Sequence, residues 1–416
     1  MDMRQMKDSG IKWIGEIPKD WKIIKLKFVM DNFDYERVPV DSTKRTQEGD
    51  QLYDYYGASG VIDQIDGYTS EGERILIGED GANLLLRNLP IIYIADGKYW
   101  VNNHAHILKP KGNGNLHFLA MQMECIDYTE YITGSAQPKL TQNNLGKVWL
   151  VIPPPHEQDS IASFLDTKCS EIDALAADIQ AQIDTLEQYK RSVITEAVTK
   201  GLDKNVEMKD SGIEYVGPIP ASWNIHPIYY YFGERKHKNR LGKEENLLSL
   251  SYGHVIEKDI NTSEGLLPEN FNTYNIVEAG DIIIRPTDLQ NDKRSLRTGL
   301  VTEHGIITSA YIALLPIRNI NSEYYHYLLY AFDVMKVFYN MGNGVRQGLN
   351  FSAFSRLIVF EPPIQEQIAI VSYLNEKCKQ IEKIISKKKA QLSTINAYKK
   401  SFIYEYVTGK KEVPAV

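Results

Sequence analysis

Side chains that could make or break bonds are scattered along this chain, whereas those that could read a polar surface gather on loops. The sequence has no G-x-x-x-x-G-K-[ST] loop to cradle nucleotide phosphates. It also lacks the Asn-Pro-Pro-aromatic or Asp-Pro-Pro-aromatic tetrapeptide of amino-methyltransferases, because its proline runs continue as Pro155-His156 and Pro363-Ile364. Glu207-Met208-Lys209 imitates the acid-and-lysine half of a nuclease site, yet Gln5 stands at the matching place in an earlier copy of that segment. His104 and His106 have alternate-residue strand spacing without a third ligand nearby. Cys125, Cys169 and Cys378 form no C-x-x-C pair and suit a reducing compartment. No nucleophile, base and orienter assemble, so neither a catalytic centre nor a metal site is expected.

Residues suited to recognition are better organised. Tyr55-Tyr56-Gly57-Ala58-Ser59-Gly60, Gly78-Glu79-Asp80-Gly81-Ala82-Asn83 and Thr133-Gly134-Ser135-Ala136-Gln137-Pro138-Lys139 punctuate the first half. Ser251-Tyr252-Gly253-His254, Arg285-Pro286-Thr287-Asp288 and a glycine-rich loop over 342–348 punctuate the second. Glycine lets a backbone approach a ligand closely. Arg, Gln, Asn and Ser can pair with base edges, and Lys or backbone N–H groups can hold phosphates. Taken singly, such loops are ordinary turns. The last one in each half is better marked, because Gly134-x-x-Gln137 returns as Gly344-x-x-Gln347. Arg346, Gln347, Gln137 and Lys139 are therefore the leading candidates for contact with a ligand, followed by Tyr56, Ser59, Asn83, Ser251, Tyr252 and Arg285. Ala136 aligns with Arg346, so the two loops, if they read a ligand, are expected to read different features of it.

The framework around these loops is written twice. Met6-Lys7-Asp8-Ser9-Gly10-Ile11 returns as Met208-Lys209-Asp210-Ser211-Gly212-Ile213, and Gly15-x-Ile17-Pro18-x-x-Trp21 as Gly217-x-Ile219-Pro220-x-x-Trp223. Pro153-Pro154-Pro155-His156-Glu157-Gln158 returns as Pro362-Pro363-Ile364-Gln365-Glu366-Gln367. Between these blocks, 22–150 and 224–360 share little. Strand candidates lie at 74–77, 91–94, 104–108 and 147–152, then at 281–284, 299–302, 310–315 and 357–360. Helix candidates lie at 115–128 and 321–339, so the halves share an order of elements without sharing residues. Each Ile-Pro-x-x-Trp block reads as an extended segment with an aromatic anchor that packs its domain onto the helices.

Behind each proline block runs a long helix with a 3.5-residue apolar period, the mark of a coiled coil. One row is Leu165, Ile172, Ile179, Leu186 and Val193, matched by Leu374, Ile381, Lys388, Ile395 and Phe402. The second row is read as Ile161, Lys168, Leu175, Gln182, Tyr189 and Glu196, matched by Ile370, Lys377, Ile384, Gln391, Tyr398 and Glu405. Residues 157–201 hold nine acids and four bases, and 366–411 hold four acids and ten bases. Opposite charge with matching seams predicts antiparallel pairing within one molecule. The alternative is solvated helix faces that bind other partners. Phe164 and Tyr373 are expected on the edge that meets partners.

This double pattern resembles the specificity (S) subunit of type I restriction–modification systems, over essentially the whole chain. The resemblance implies an α/β (α+β) fold in which two mixed α/β target-recognition domains are joined by two long antiparallel coiled-coil helices with an internal pseudo-twofold repeat. The implied segments are a first recognition domain at 1–152, a long helix and linker at 153–205, a second recognition domain at 206–361 and the distal helix at 362–416. Each recognition domain would read one half of an asymmetric bipartite sequence in double-stranded DNA. The helices would set the gap and dock modification (methyltransferase) subunits, two in number, with restriction (motor–nuclease) subunits joining them. S-adenosylmethionine, ATP and Mg would sit only on those partners, leaving this chain without a cofactor or an activity of its own. A specificity protein of a methylation-only or other phage-defence system, and a coiled-coil scaffold for proteins, are the rival readings. The net charge of −7 does not advertise a nucleic-acid binder, and no run approaches 18 apolar residues. With no apolar signal region at its start, the chain is expected in the cytoplasm.

Overall fold

The structure is a computed structural model that describes residues 4–45, 51–134, 136–213, 216–261, 270–287, 296–341 and 348–414. It separates into two compact units, Met1–Gln180 with Ala390–Val416, and Ala181–Lys389. Both boundaries fall inside the long helices.

In the first unit, chain order gives β1 (Met6–Asp8), β2 (Glu16–Pro18), β3 (Lys22–Lys25), β4 (Met30–Asn32), β5 (Leu52–Gly57), β6 (Gly60–Asp66), β7 (Ser70–Glu71) and β8 (Arg74–Gly78). There follow β9 (Ile92–Ala95), β10 (Lys98–Val101), β11 (Ala105–Pro110), helix α1 (Leu116–Glu124), β12 (Trp149–Ile152) and the 46-residue helix α2 (Pro155–Lys200). An antiparallel sheet of order β4-β11-β8-β9 carries the core. Its strand β8 is apolar at consecutive positions because both faces are covered. Ile75 and Ile77 pack with Phe118 and Leu119 of α1, while Leu76 packs with Tyr99 and Val101 of a second sheet, β6-β5-β10-β7.

The second unit contains β13 (Met208–Asp210), β14 (Pro218–Pro220), β15 (Asn224–Pro227), β16 (Phe232–Glu234), β17 (Leu248–Ser251), β18 (His254–Glu257) and β19 (Asn275–Val277). There follow β20 (Ile282–Ile284), β21 (Thr298–Leu300), β22 (Gly305–Ile307), β23 (Ile312–Pro316), helix α3 (Ser322–Val334), β24 (Ile358–Glu361) and helix α4 (Ile364–Val407). The sheet β16-β23-β20-β21 repeats β4-β11-β8-β9, β15–β24 repeats β3–β12, and β13–β14 repeats β1–β2. The central sheet and these pairs are thus built twice from unrelated side chains, whereas β6-β5-β10-β7 has two separate pairs, β17-β18 and β19-β22, in its place among the described residues. The helices expected to reach 128 and 339 end sooner, at Glu124 and Val334.

The repeated blocks turn out to be joints. Glu157 accepts the Trp21 indole N–H at 3.1 Å, and Glu366 accepts that of Trp223 at 3.1 Å. Both tryptophans are fully buried. Gln158 accepts the backbone N–H of Asn115 at 2.9 Å, and Gln367 that of Asn321 at 3.0 Å, and these asparagines are the N-caps of α1 and α3. The Glu-Gln pair of each proline block thus grips the tryptophan anchor with one side chain and the domain helix with the other. At the far ends, Gly201 (φ +73) stops α2 against Trp223, and Gly409 (φ +70) follows α4 against Pro18 and Trp21. A Cβ at 409 would lie 2.4 Å from Pro18 Cδ, so only glycine fits this left-handed cap.

Within each unit α2 and α4 run antiparallel. In the first, Phe164 packs on Phe402 and Tyr406 at ring distances of 6.0 and 5.0 Å, and Lys399 Nζ lies 2.6 Å from Asp173. In the second, Val193, Ile194 and Ala197 pack with Val371, Leu374 and Cys378, and Lys190 bonds Glu382. Leu165, Ile179, Leu374 and Ile381 are buried, and Ile172, Leu186, Ile395 and Phe402 are half-buried. The second row is shifted by one residue from the expected one. It consists of Ala162, Cys169, Ala176, Ile183, Lys190 and Ala197, matched by Val371, Cys378, Ile385, Leu392, Lys399 and Tyr406. Leu175, Tyr189, Ile384 and Tyr398, read as seam members, are 51, 54, 45 and 55% exposed. Ile161 and Ile370, the first members of the expected row, are nonetheless buried. Lys190 and Lys399 each pair across the seam with a carboxylate, Glu382 and Asp173. Phe164, expected at a partner-facing edge, is instead engaged by Phe402 and Tyr406.

Candidate nucleic-acid interface

In the first unit the three glycine-bearing loops converge. A Cβ on Gly78 would sit 2.6 Å from the Ala58 carbonyl oxygen, so the 57–60 turn can lie against β8 only because residue 78 is glycine. Gly81 N–H donates to Pro138 O at 3.0 Å, Leu140 N–H to Glu79 O at 2.7 Å, and Asp80 bridges Lys139. His106, buried in β11, donates from Nε2 to Leu140 O at 2.7 Å and meets Asp34 through Nδ1 at 2.6 Å. Burial alone would raise the Glu79 carboxyl, but hydrogen bonds from Arg37 and Lys139 outweigh it and hold it below the ordinary carboxylate value. The Glu79 carboxylate under the loops is therefore ionised and clamped between Arg37 and Lys139. Ser59 and Gln137 stand exposed above it.

The second unit repeats the device with other residues. Leu349 N–H donates to Pro286 O at 2.9 Å, as Leu140 does to Glu79. Arg285 N–H donates to Arg297 O at 2.8 Å. The fully buried Arg297 guanidinium bonds Thr287 O and the Tyr339 hydroxyl, and its backbone N–H donates to Asp333. The β17–β18 hairpin lies over β21, where a Cβ on Gly299 would come 2.5 Å from Leu250 Cδ1. At its tip Tyr252 is 85% exposed and held at φ +47, a left-handed conformation that costs a bulky residue energy. A strained aromatic displayed to solvent has no role in the core.

Of the residues expected to contact DNA, Arg346 and Gln347 lie outside the described residues. Gln137, Ser59 and Tyr252 are exposed, Ser251 is half-buried at the base of its hairpin tip, and Arg285 is half-buried beside the loop it anchors. Lys139 is half-exposed, with its ammonium 3.0 Å from Glu79. Tyr56 is half-buried edge-on to Tyr99, at a bulge in β5. The Asn83 amide is occupied within its own loop, accepting from Leu89 N–H at 3.0 Å and donating to Leu89 O at 3.1 Å. Sequence reasoning passed over the run Arg235-Lys236-His237-Lys238-Asn239-Arg240-Leu241-Gly242-Lys243. It edges a cleft of about 620 Å³ in the second unit. The signal was present, five bases in nine residues, but was submerged in a net charge of −7.

Two scaffolds of one topology, each presenting its own convergent polar loops, define a protein built to read two different surfaces. A family profile described as the type I restriction modification DNA specificity domain matches residues 18–185. A Haemophilus influenzae protein assigned as a type I restriction enzyme specificity subunit is 35% identical over 147 residues, which is 35% of this chain and 36% of that protein's length. A Methanocaldococcus jannaschii protein assigned as the MjaX specificity subunit is 24% identical over 96% of both chains. In fold, a chain from a structure of the type I restriction–modification system aligns with TM-score 0.65 over 95% of this chain and 99% of its own, at 11% identity. Residues 18–185 thus match the DNA specificity domain of type I restriction–modification systems, and the chain as a whole is similar in sequence and fold to their specificity subunits.

Proposed function

We propose that each unit reads one half of an asymmetric bipartite target in double-stranded DNA, the first through the 57–60, 78–83 and 133–139 loops, the second through the 251–254, 285–287 and 342–349 loops. The observation that carries this reading is the meeting of described loop residues at the shared central sheet, Leu140 N–H on Glu79 O in the first unit and Leu349 N–H on Pro286 O in the second, with different side chains at equivalent places. Methylation of adenine and cleavage belong, in this proposal, to modification and restriction subunits. Those subunits bind S-adenosylmethionine, ATP and Mg, and the complex works in the cytoplasm. The exposed apolar residues of the long helices support two equivalent docking places for modification subunits. Leu175 and Tyr398 lie in the first unit, and Ile384 and Tyr189 hold the equivalent positions in the second.

The test is methylome sequencing of the host with and without this gene. The expected result is loss of one asymmetric, bipartite methyladenine motif, and an unchanged methylome in a strain expressing the partners would overturn the proposal. Exchanging Arg346 and Gln347 for Ala should weaken binding at the second half-site by ~1–3 kcal/mol for each base pairing removed. A protein-binding scaffold would be indifferent to that exchange.

A further inference from the structure

The cleft beside residues 236–244 has a chemistry of its own. Lys238 bridges Asn275 in antiparallel register, and the flanking backbone is bonded in the same sense, with Ile276 N–H donating to His237 O at 2.7 Å and Asn239 N–H to Tyr274 O at 3.0 Å. The segment is thus an extended edge along β19, and alternate residues share a face. Lys236 and Lys238 stand at alternate positions of this edge, the buried Asn239 faces the other way, and Arg240 opens the turn that follows, and all three cations line the cleft. Asn239 pins the turn, accepting from Glu244 N–H at 3.2 Å and donating to Glu244 O at 2.8 Å. Gly242 (φ +61) turns the chain so that Lys243 rejoins the same cleft. Alternate positions on a strand are ~6.8 Å apart, two of the ~3.4 Å axial rises between phosphates of one DNA strand.

The cations are poorly neutralised. Lys236 meets Glu234 at 2.8 Å as a surface pair, Lys238 Nζ donates to Thr273 O at 2.9 Å, and among the described residues Arg240 and Lys243 have no carboxylate partner. Glu244, the acid of the cleft, is engaged by His304 at 2.7 Å. Burial, then the neighbouring Lys236, push the Lys238 ammonium below its ordinary value, and Glu234 offsets this only in part. In the first unit the segment after the equivalent strand β4, residues 33–45, balances Asp34, Glu36 and Asp41 against Arg37, Lys44 and Arg45, and its two arginines are spent on Glu79 and Asp63.

We propose that Lys236, Lys238, Arg240 and Lys243 form a phosphate-binding edge that grips the DNA backbone beside the second half-site, a grip the first unit lacks. This rests on the DNA-reading function above, and it adds a sequence-independent attraction whose strength depends on salt.

The test uses the chain assembled with its modification subunits, a duplex carrying the methylated motif, and a scrambled duplex of equal length, titrated across a range of salt concentrations. For K236Q/K238Q/R240Q/K243Q, binding to both duplexes should fall by the same factor. The slope of log affinity against log salt should become shallower by about 0.9 for each phosphate no longer neutralised. K236R/K238R/K243R, which keeps the charge, should retain the wild-type slope and shows that the loop still folds. Unchanged affinity and slope in the glutamine variant would overturn the proposal. So would a loss of modification-subunit assembly with the DNA slope intact, which would mean that the edge binds an acidic protein surface. A wild-type complex that prefers neither duplex would sink the half-site reading, leaving the edge to be judged by its slope alone.

Discussion

Gly78 shows how a single residue decides whether a reading surface forms. Its missing side chain is what lets the 57–60 turn touch β8, and the 78–83 and 133–139 loops then lock over that junction. Gly78→Ala pushes a methyl group into the Ala58 carbonyl, and since backbone cannot swing aside as a flexible side chain can, overpacking of about 1–3 kcal/mol is expected. Denaturant midpoints should fall accordingly, and binding to the first half-site should weaken while the second is untouched. Some of this was legible in the sequence. Glycine and polar residues mark loops, and the recurrence of Gly-x-x-Gln singles out one loop in each half. Which side chains remain available was not legible. Asn83 has the right chemistry but closes its own loop, and Lys139 is shared with Glu79, because those bonds depend on neighbours remote in sequence. Tyr252 could be singled out as a residue type, but its strained, exposed pose is a property of the folded hairpin.

The long helices show the same division between what period reveals and what packing decides. A repeat of 3.5 residues and opposite charges were enough to predict two antiparallel partners. The choice of second row was not determined by period, since rows on either side of Leu165, Ile172 and Ile179 both keep it. Ile161 is buried as its size suggests, but Leu175 and Tyr189 stand exposed while Cys169 and Ile183, one position on from the expected row, are buried, and Lys190 and Lys399 reach carboxylates across the seam. Ile183→Ala should therefore cost about 2–5 kcal/mol in chemical unfolding, whereas Leu175→Ala should change stability by no more than about 0.5 kcal/mol. Equal losses at the two positions would refute this register. Leu175→Ala should instead show its effect in assembly with the modification subunits.

Across the whole chain, duplication was the most legible feature, and the shared order of sheet strands the least. Strands β8, β9, β11 and β20, β21, β23 could be marked by their apolar runs, but their neighbours in each sheet are set by pairings dozens of residues apart. The same sheet topology and the same Glu-Gln joints make the recognition segments interchangeable. Replacing residues 22–152 with 224–361 should give a folded protein whose methylome shows the second half-site twice, in inverted orientation. Retention of the original motif would show that the first reader lies elsewhere.

The joints themselves, tryptophan held by glutamate at one end of each helix and a left-handed glycine closing the other, bear on how such a protein changes between generations. Because both are spelled in nearly the same residues, a genetic crossover with breakpoints in those blocks delivers an entire reader and leaves every fitted surface of the frame as it was. If each unit reads one half-site as proposed, preference in such a lineage would shift by exchange of whole half-sites, in one step.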